Sequence, residues 1–387
     1  MTPLPYTFER LDDLMEQAGI DVLLVSSRHN VQYLLGGYRF FFFDHFDAIG
    51  ISRYLPLLIY PRGSPERAAY VGNGMELYER DLNKFWMSNI LTASGSVGAM
   101  SKATEYLAKL DLGNRTIGIE PPFMPTDAFE TLRSALPQAK ITDSLIMLER
   151  LRACKSPAEL ELIEQASIRV VDSMLEVISS HPPGTSKRDL VDALRRAEIN
   201  RGLTFEYCLI TAGTNLNRAP SDQIVQEGDI LSLDSGGNFQ GYIGDLCRMA
   251  VFGEPDDELR ELLSEVDGIQ QAARAPIKTG AMGGDIFASA EEVLRRSRYS
   301  NQLEFVAHGM GLITHEAPRL TSRAPVPYPA ADANQPLQAG MVLSIETTLP
   351  HPKRGFVKLE DTVAVTDSGW TAFGDYGRGW NRAGQTG

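Results

Sequence analysis

Apolar positions recur at Phe8, Leu11, Leu14, Met15 and Ala18, the spacing that buries one stripe of a helix. Two largely apolar runs of strand length, residues 20–27 (IDVLLVSS) and 55–60 (LPLLIY), read as buried strands. Between them Tyr38, Arg39, the run Phe40 to Phe43 and Asp44-His45-Phe46-Asp47 form a dense aromatic and charged loop. Such a loop either packs its rings into the core or contacts a substrate or partner subunit. Alternating strands and helices over the first 150 residues predict an α/β layer arrangement. Ser156-Pro157, with Glu159 and Glu161 behind it, is a helix start, and the helix runs over about 158–180 to His181-Pro182-Pro183-Gly184. Ser186 opens a second helix over about 186–201, with Asp189 as an acidic variant of the capping box. Past Gly202 the texture changes to strands and turns, with helices near 256–275 and 284–297 and a strand-rich tail from 303 to 367. No internal repeat or long linker is visible. The boundary near Lys155-Ser156-Pro157 divides the chain into a smaller domain, 1–153, and a larger one, 154–387.

Length supports that division, since 387 residues are too many for one average domain. With 43% hydrophobic and 22% charged residues the chain can bury two cores. No window approaches the roughly 18 apolar residues of a membrane helix, and residues 1–19 lack a signal-peptide core, so a cytoplasmic location is expected. Cys154, Cys208 and Cys247 have no C-x-x-C spacing and support neither a disulfide framework nor a thiolate zinc site. A formal charge of -13 argues against a nucleic-acid partner. An excess of acids can instead surround a cation.

Dinucleotide, P-loop, zincin and nucleophile-elbow motifs are absent. What stands out is a set of acids inside strands. In Ile230 to Asp234, Leu231 and Leu233 face one way, and Ser232 and Asp234 the other. Ser344 and Glu346 repeat the arrangement, and Glu360 shares a face with Lys358 and Thr362. Asp245 has Ile243, Cys247 and Met249 on its own side, which predicts burial. A lone buried carboxylate costs several kcal/mol unless it is paired or bound to metal. Four such acids, joined by His308 on an apolar segment, must therefore share a compensating charge. Oxygen-rich ligands with one imidazole suit Mn, Fe, Co or Zn, and two divalent ions would balance four carboxylates.

The order Asp234, Asp245, His308, Glu346, Glu360 resembles that of the prolidase, aminopeptidase P and creatinase superfamily. Asp234-Ser235-Gly236-Gly237, Gly244-Asp245, His308-Gly309-Met310-Gly311 with His315-Glu316, Ser344-Ile345-Glu346 and Glu360-Asp361-Thr362 carry the likeness. It implies a small α/β creatinase-like amino-terminal domain followed by a larger pita-bread catalytic domain, an α/β (α+β) chain. It also implies a homodimer and two divalent metal ions, held by Asp234, Asp245, His308, Glu346 and Glu360. The expected activity is hydrolysis of an amide bond in a small peptide, through a hydroxide bridging the two ions. By the same resemblance Glu346 would take the proton of the attacking water, and His315 would face the substrate carbonyl.

Two departures bear on the substrate. Superfamily members that cleave peptides usually carry a histidine before the Pro-Ser-Asp pattern, where this chain has Asn217, with Arg218 beside it. An amide cannot shuttle a proton at neutral pH as imidazole can, although it can bond to substrate. Thr347-Thr348 also replaces the proline and glycine common in the peptidases. Alternatives are therefore a non-peptide substrate, as in ectoine hydrolase-like or lyase-like members, or a metal-free binding protein. Arg39 or His45 is placed as a candidate contact to a partner subunit's substrate.

Overall fold

The structure, a computed structural model, describes residues 4–43, 53–323 and 328–384. His45 and the rest of the Asp44 to Asp47 stretch lie outside the described residues. The chain divides into two compact units, Met1–Arg152 and Ala153–Gly387.

The first unit is built on β1 (Val22–Val25), β2 (Leu57–Pro61), β3 (Ala69–Gly72), β4 (Asn89–Thr92), β5 (Thr116–Ile119) and β6 (Lys140–Asp143). Their order in the sheet is β4-β3-β2-β1-β5-β6. β1 pairs antiparallel with β2 and parallel with β5, so the sheet is mixed. Among the described residues six α-helices accompany it: α1 (Phe8–Gln17), α2 (Arg28–Leu34), α3 (Glu76–Asp81), α4 (Gly95–Lys109), α5 (Thr126–Ala135) and α6 (Leu145–Arg152). Every residue of β1 is buried, as its unbroken apolar run requires, and Met100, Leu107 and Leu132 of α4 and α5 join its core. The rings of Phe40, Phe42 and Phe43 are buried around Tyr54, with centroids 5.6, 5.8 and 6.0 Å from it. That part of the aromatic loop is core packing, while Phe41 stays 54% exposed.

The second unit repeats one plan twice. Helices α7 (Pro157–Ser180) and α8 (Lys187–Asn200) lead into β7 (Thr204–Ala212), β8 (Ile230–Phe239) and β9 (Tyr242–Val251). Helices α9 (Asp257–Arg274) and α10 (Gly283–Leu294) then lead into β10 (Glu304–Gly309), β11 (Val342–His351) and β12 (Gly355–Val365). Ser156 and Glu159 form a reciprocal capping box at the start of α7. At α8 the Ser186 hydroxyl caps by accepting from the Asp189 amide at 3.0 Å and donates to the Asp189 carboxylate at 2.7 Å. The six strands form one sheet in the order β10-β11-β12-β9-β8-β7, so the two triplets meet at β12 and β9. Two short strands, β13 (Trp370–Phe373) and β14 (Asn381–Arg382), pair with β12 and β9.

Apolar residues of α7 and α8 pack with Leu231, Leu233, Leu246 and Ala250, and those of α9 and α10 with Leu343, Ile345, Leu359 and Val363. Each of these leucines contributes about 1.5–3 kcal/mol on burial. An uncompensated buried carboxylate costs more than that. The acids between these apolar positions therefore need a counter-charge of their own.

Candidate metal centre

Sheet register assembles the acids. Glu346 on β11 stands directly opposite Glu360 on β12, and Ser344 opposite both Thr362 and His308. Glu360 and Asp234 each pair with Cys247 on β9, and Asp245 lies two residues before it, opposite Gly236. Like charges directly across a strand pair repel. Asp234, Asp245, Glu360 and His308 are at most 3% exposed, whereas the Glu346 side chain keeps 18% of its surface open.

Two glycines permit the approach. A Cβ on Gly236 would lie 2.4 Å from the Tyr207 ring, whose hydroxyl donates to Asp245 Oδ1 at 2.5 Å. A Cβ on Gly309 would strike the Ala317-Pro318 backbone at 2.4 Å, where Gly309 and Glu316 bridge. Behind Glu360, buried Arg248 donates to the Glu360 carbonyl at 3.0 Å and pairs with Asp361 at 2.9 Å, fixing the strand that carries the acid.

The fit to a metal ion rests on one orphaned atom. His308 Nδ1 lies 3.3 Å from the Gly309 carbonyl, which assigns the proton to Nδ1. Its Nε2 is buried without a hydrogen-bond partner, 3.8 Å from Glu346 Oε1 and 3.9 Å from Glu360 Oε1. Ligand atoms of Asp245, His308 and Glu360 all lie within 4.8 Å of one another. Burial pushes the His308 pKa down to about 4, so the ring is neutral and its lone pair available. Burial, with Glu360 and Asp234 adding to it, holds the Asp245 carboxyl well above the usual carboxylate range. Among the described residues no cation reaches Asp245, and a divalent ion there would restore its ionised form.

The other side of the cluster is different. Lys358 Nζ lies 2.7 Å from Asp234 Oδ2, 2.7 Å from Glu346 Oε2 and 2.7 Å from Glu360 Oε2, with 3% of its side chain exposed. Burial opposes the charge on that ammonium, but the three carboxylates outweigh it and hold its pKa well above the usual lysine range. Arg218 forms a second ion pair with Asp234 Oδ2 and lies over Phe356, with 34% of its side chain exposed.

His315 stacks on His308 with ring centroids 3.7 Å apart, and its Nδ1 lies 3.1 Å from the Tyr328 hydroxyl. Burial pushes its pKa to about 4, with His308 adding to the effect. Glu316 makes a fully buried ion pair with Lys155 at 3.0 Å. Asn217 is exposed and caps its own turn, accepting from the Ala219 amide at 3.0 Å, while its carbonyl accepts from Lys187 Nζ at 2.6 Å. Arg39 lies in the first unit, donating to Gln32 Oε1 at 2.8 Å.

Comparison with known proteins places this geometry. Residues 161–367, more than half of the chain, match the model of metallopeptidase family M24. The chain belongs to that family. Residues 8–154 match the creatinase/prolidase N-terminal domain. Uncharacterized peptidase YqhT of Bacillus subtilis is 25% identical over 93% of this chain and 95% of its own. Xaa-Pro dipeptidase of Pyrococcus furiosus is 26% identical over 66% of this chain and 72% of its own. Among solved structures, Xaa-Pro dipeptidase from Bacillus anthracis superposes with a TM-score of 0.80 at 21% identity, covering 95% of this chain and 97% of that one. These likenesses give the fold: a creatinase-like domain followed by an M24 pita-bread domain.

Membership in M24 makes the chain a metal-dependent peptidase with divalent metal as its cofactor. No helix among the described residues is long and apolar enough to cross a membrane. Three groups to which the sequence pattern assigns no role at the site join it in the structure: Lys358, Arg218 and Tyr207. Lys358 was the most visible of them, since it sits on the same strand face as Glu360. Tyr207 gave no signal, because its reach to Asp245 depends on Gly236 on a neighbouring strand.

Proposed function

We propose that the chain hydrolyses the amide bond of a small peptide of the Xaa-Pro type, with a creatinase-like domain over 1–153 and the chemistry carried by the domain over 154–387. The orphaned His308 Nε2 among buried acids is the observation that carries this reading. Asp234, Asp245, His308, Glu346 and Glu360 are the proposed ligands of divalent metal, Mn, Fe, Co or Zn, in a cage whose donors can serve up to two ions. Bound there, metal supplies Lewis acidity that activates water and polarises a carbonyl.

The chain's own residues do the rest. Glu346 is the proposed acceptor of the attacking water's proton, a role supported by its 18% open side chain against 3–4% for Glu360 and Asp234. His315 Nδ1 pairs with the Tyr328 hydroxyl, and with that hydroxyl as donor the neutral ring would keep Nε2–H to meet the substrate carbonyl and the charge that develops on it. Asn217 and Arg39 are proposed substrate contacts, Arg39 across a homodimer. The protein is proposed to work in the cytoplasm.

A second reading keeps the site and changes the substrate to a non-peptide amide. Asn217 favours it, since its side chain is engaged in its own turn and cannot replace an imidazole. Assaying Mn-loaded protein against Ala-Pro and Leu-Pro beside ectoine, creatine and other small amides separates the two. Turnover of the dipeptides supports the first reading; turnover of another amide with the dipeptides inert supports the second.

A further inference from the structure

We propose that Lys358 takes the place of one metal ion, so that the chain binds a single divalent ion tightly, at Asp245, His308 and Glu360. The proposal rests on the metal-dependent reading above and deepens it. Four carboxylates face the site, and a balance drawn from them alone calls for two divalent ions. The structure adds Lys358 and Arg218, two cations that touch Asp234 directly. Two negative charges then remain, which one divalent ion neutralises.

Position agrees with the charge count. Every acid that Lys358 touches is touched at 2.7 Å, and the three contacts use all three protons of its ammonium. Asp234 Oδ2 is claimed by both cations. Among the described residues the opposite side holds Asp245 without a contacting cation and His308 Nε2 without a hydrogen-bond partner. The stem of Lys358 rises from the middle of β12, between β11 and β9, and its side chain is 3% exposed, so the ammonium has no ready route to water. A second ion at Asp234 would have to break these pairs and leave a buried ammonium beside it. Removing one partner of a buried ion pair is costly, and an ion entering there bears that cost in full. The cage therefore fills in order, and filling stops at one ion at ordinary metal concentrations.

The test is metal-free protein titrated with Mn(II), with bound ions counted by equilibrium dialysis and elemental analysis and their coupling read by electron paramagnetic resonance. Wild type is expected to hold one ion per chain with an uncoupled spectrum. Lys358→Met should bind a second ion roughly a hundredfold more tightly than wild type does and show spin coupling. Lys358→Arg, which keeps the charge, should stay at one. Two ions of similar affinity in wild type, or a coupled pair from the first equivalent, would overturn the proposal while leaving the hydrolase reading intact. So would a folded Lys358→Met protein that still stops at one ion. Should that variant fail to fold, wild-type stoichiometry decides alone. No bound ion at all would overturn both readings.

Discussion

The two sides of the acid cluster are equally buried and oppositely compensated. Around Asp234 the protein supplies its own cations, Lys358 and Arg218. Around Asp245, His308 and Glu360, among the described residues, it leaves a carboxylate without a contacting cation and a ring nitrogen without a proton or hydrogen-bond partner. Burial penalises both sides alike, so the difference lies in where the positive charge comes from. A side that carries its own charge is structural as it stands, and the bare side is where an ion contributes.

Breaking the bare side should have the largest effect. Asp245→Ala or His308→Ala should abolish bound Mn and amide hydrolysis together. Thermal unfolding should then lose the metal-dependent gain, which is about 2.7 kcal/mol at a hundredfold excess over Kd. A variant that keeps the gain would place the ion elsewhere.

Breaking the self-compensated side comes next. Lys358→Met in metal-free protein should be destabilised by about 3–5 kcal/mol, because three carboxylates lose their shared cation. Denaturant unfolding with and without Mn should show metal recovering part of that loss. Equal stability of variant and wild type without metal would mean that Lys358 compensates nothing.

A pH profile sharpens the comparison from below the Asp234 strand. Glu198 on α8 accepts from Ser235, the neighbour of Asp234, at 2.8 Å, and burial pushes its pKa up to about 8. The folded state therefore holds this proton more tightly than the unfolded chain does. The resulting stability is fully present below about 4.5 and is lost as pH rises through about 8. The melting temperature should fall across that window in metal-free wild type and fall less in Glu198→Gln. Superimposable profiles would remove Glu198 from the account.

The smallest effect concerns Arg39, outside the cluster. Arg39→Ala should raise KM roughly threefold, the worth of a partly exposed ion pair, with kcat unchanged. Unchanged kinetics on the true substrate would end its proposed role.

Much of this was legible in the sequence because strands have a period of two. Alternation in residues 230–234 and 343–346 put Asp234 and Glu346 on faces shared with Ser232 and Ser344, and apolar neighbours announced the burial of Asp245. The helices over 157–180 and 187–200 were announced by Ser156 and Ser186 at their caps. Register between distant strands was not legible. Nothing along the chain says that Lys358 reaches Asp234, 124 residues away, or that Tyr207 crosses Gly236 to Asp245. The repeated plan of two helices and three strands was hidden as well, since packing constrains which positions are apolar and leaves their identities free. The strands β3 to β6 are four residues each, too short for a periodic signal to separate them from turns.

Anomalous diffraction at the manganese edge, from crystals grown with Mn(II), tests the central claim most directly. One strong peak bounded by His308 Nε2, Asp245 and Glu360, with Lys358 still on Asp234, is the predicted result. A peak elsewhere, or none among these side chains, would contradict it.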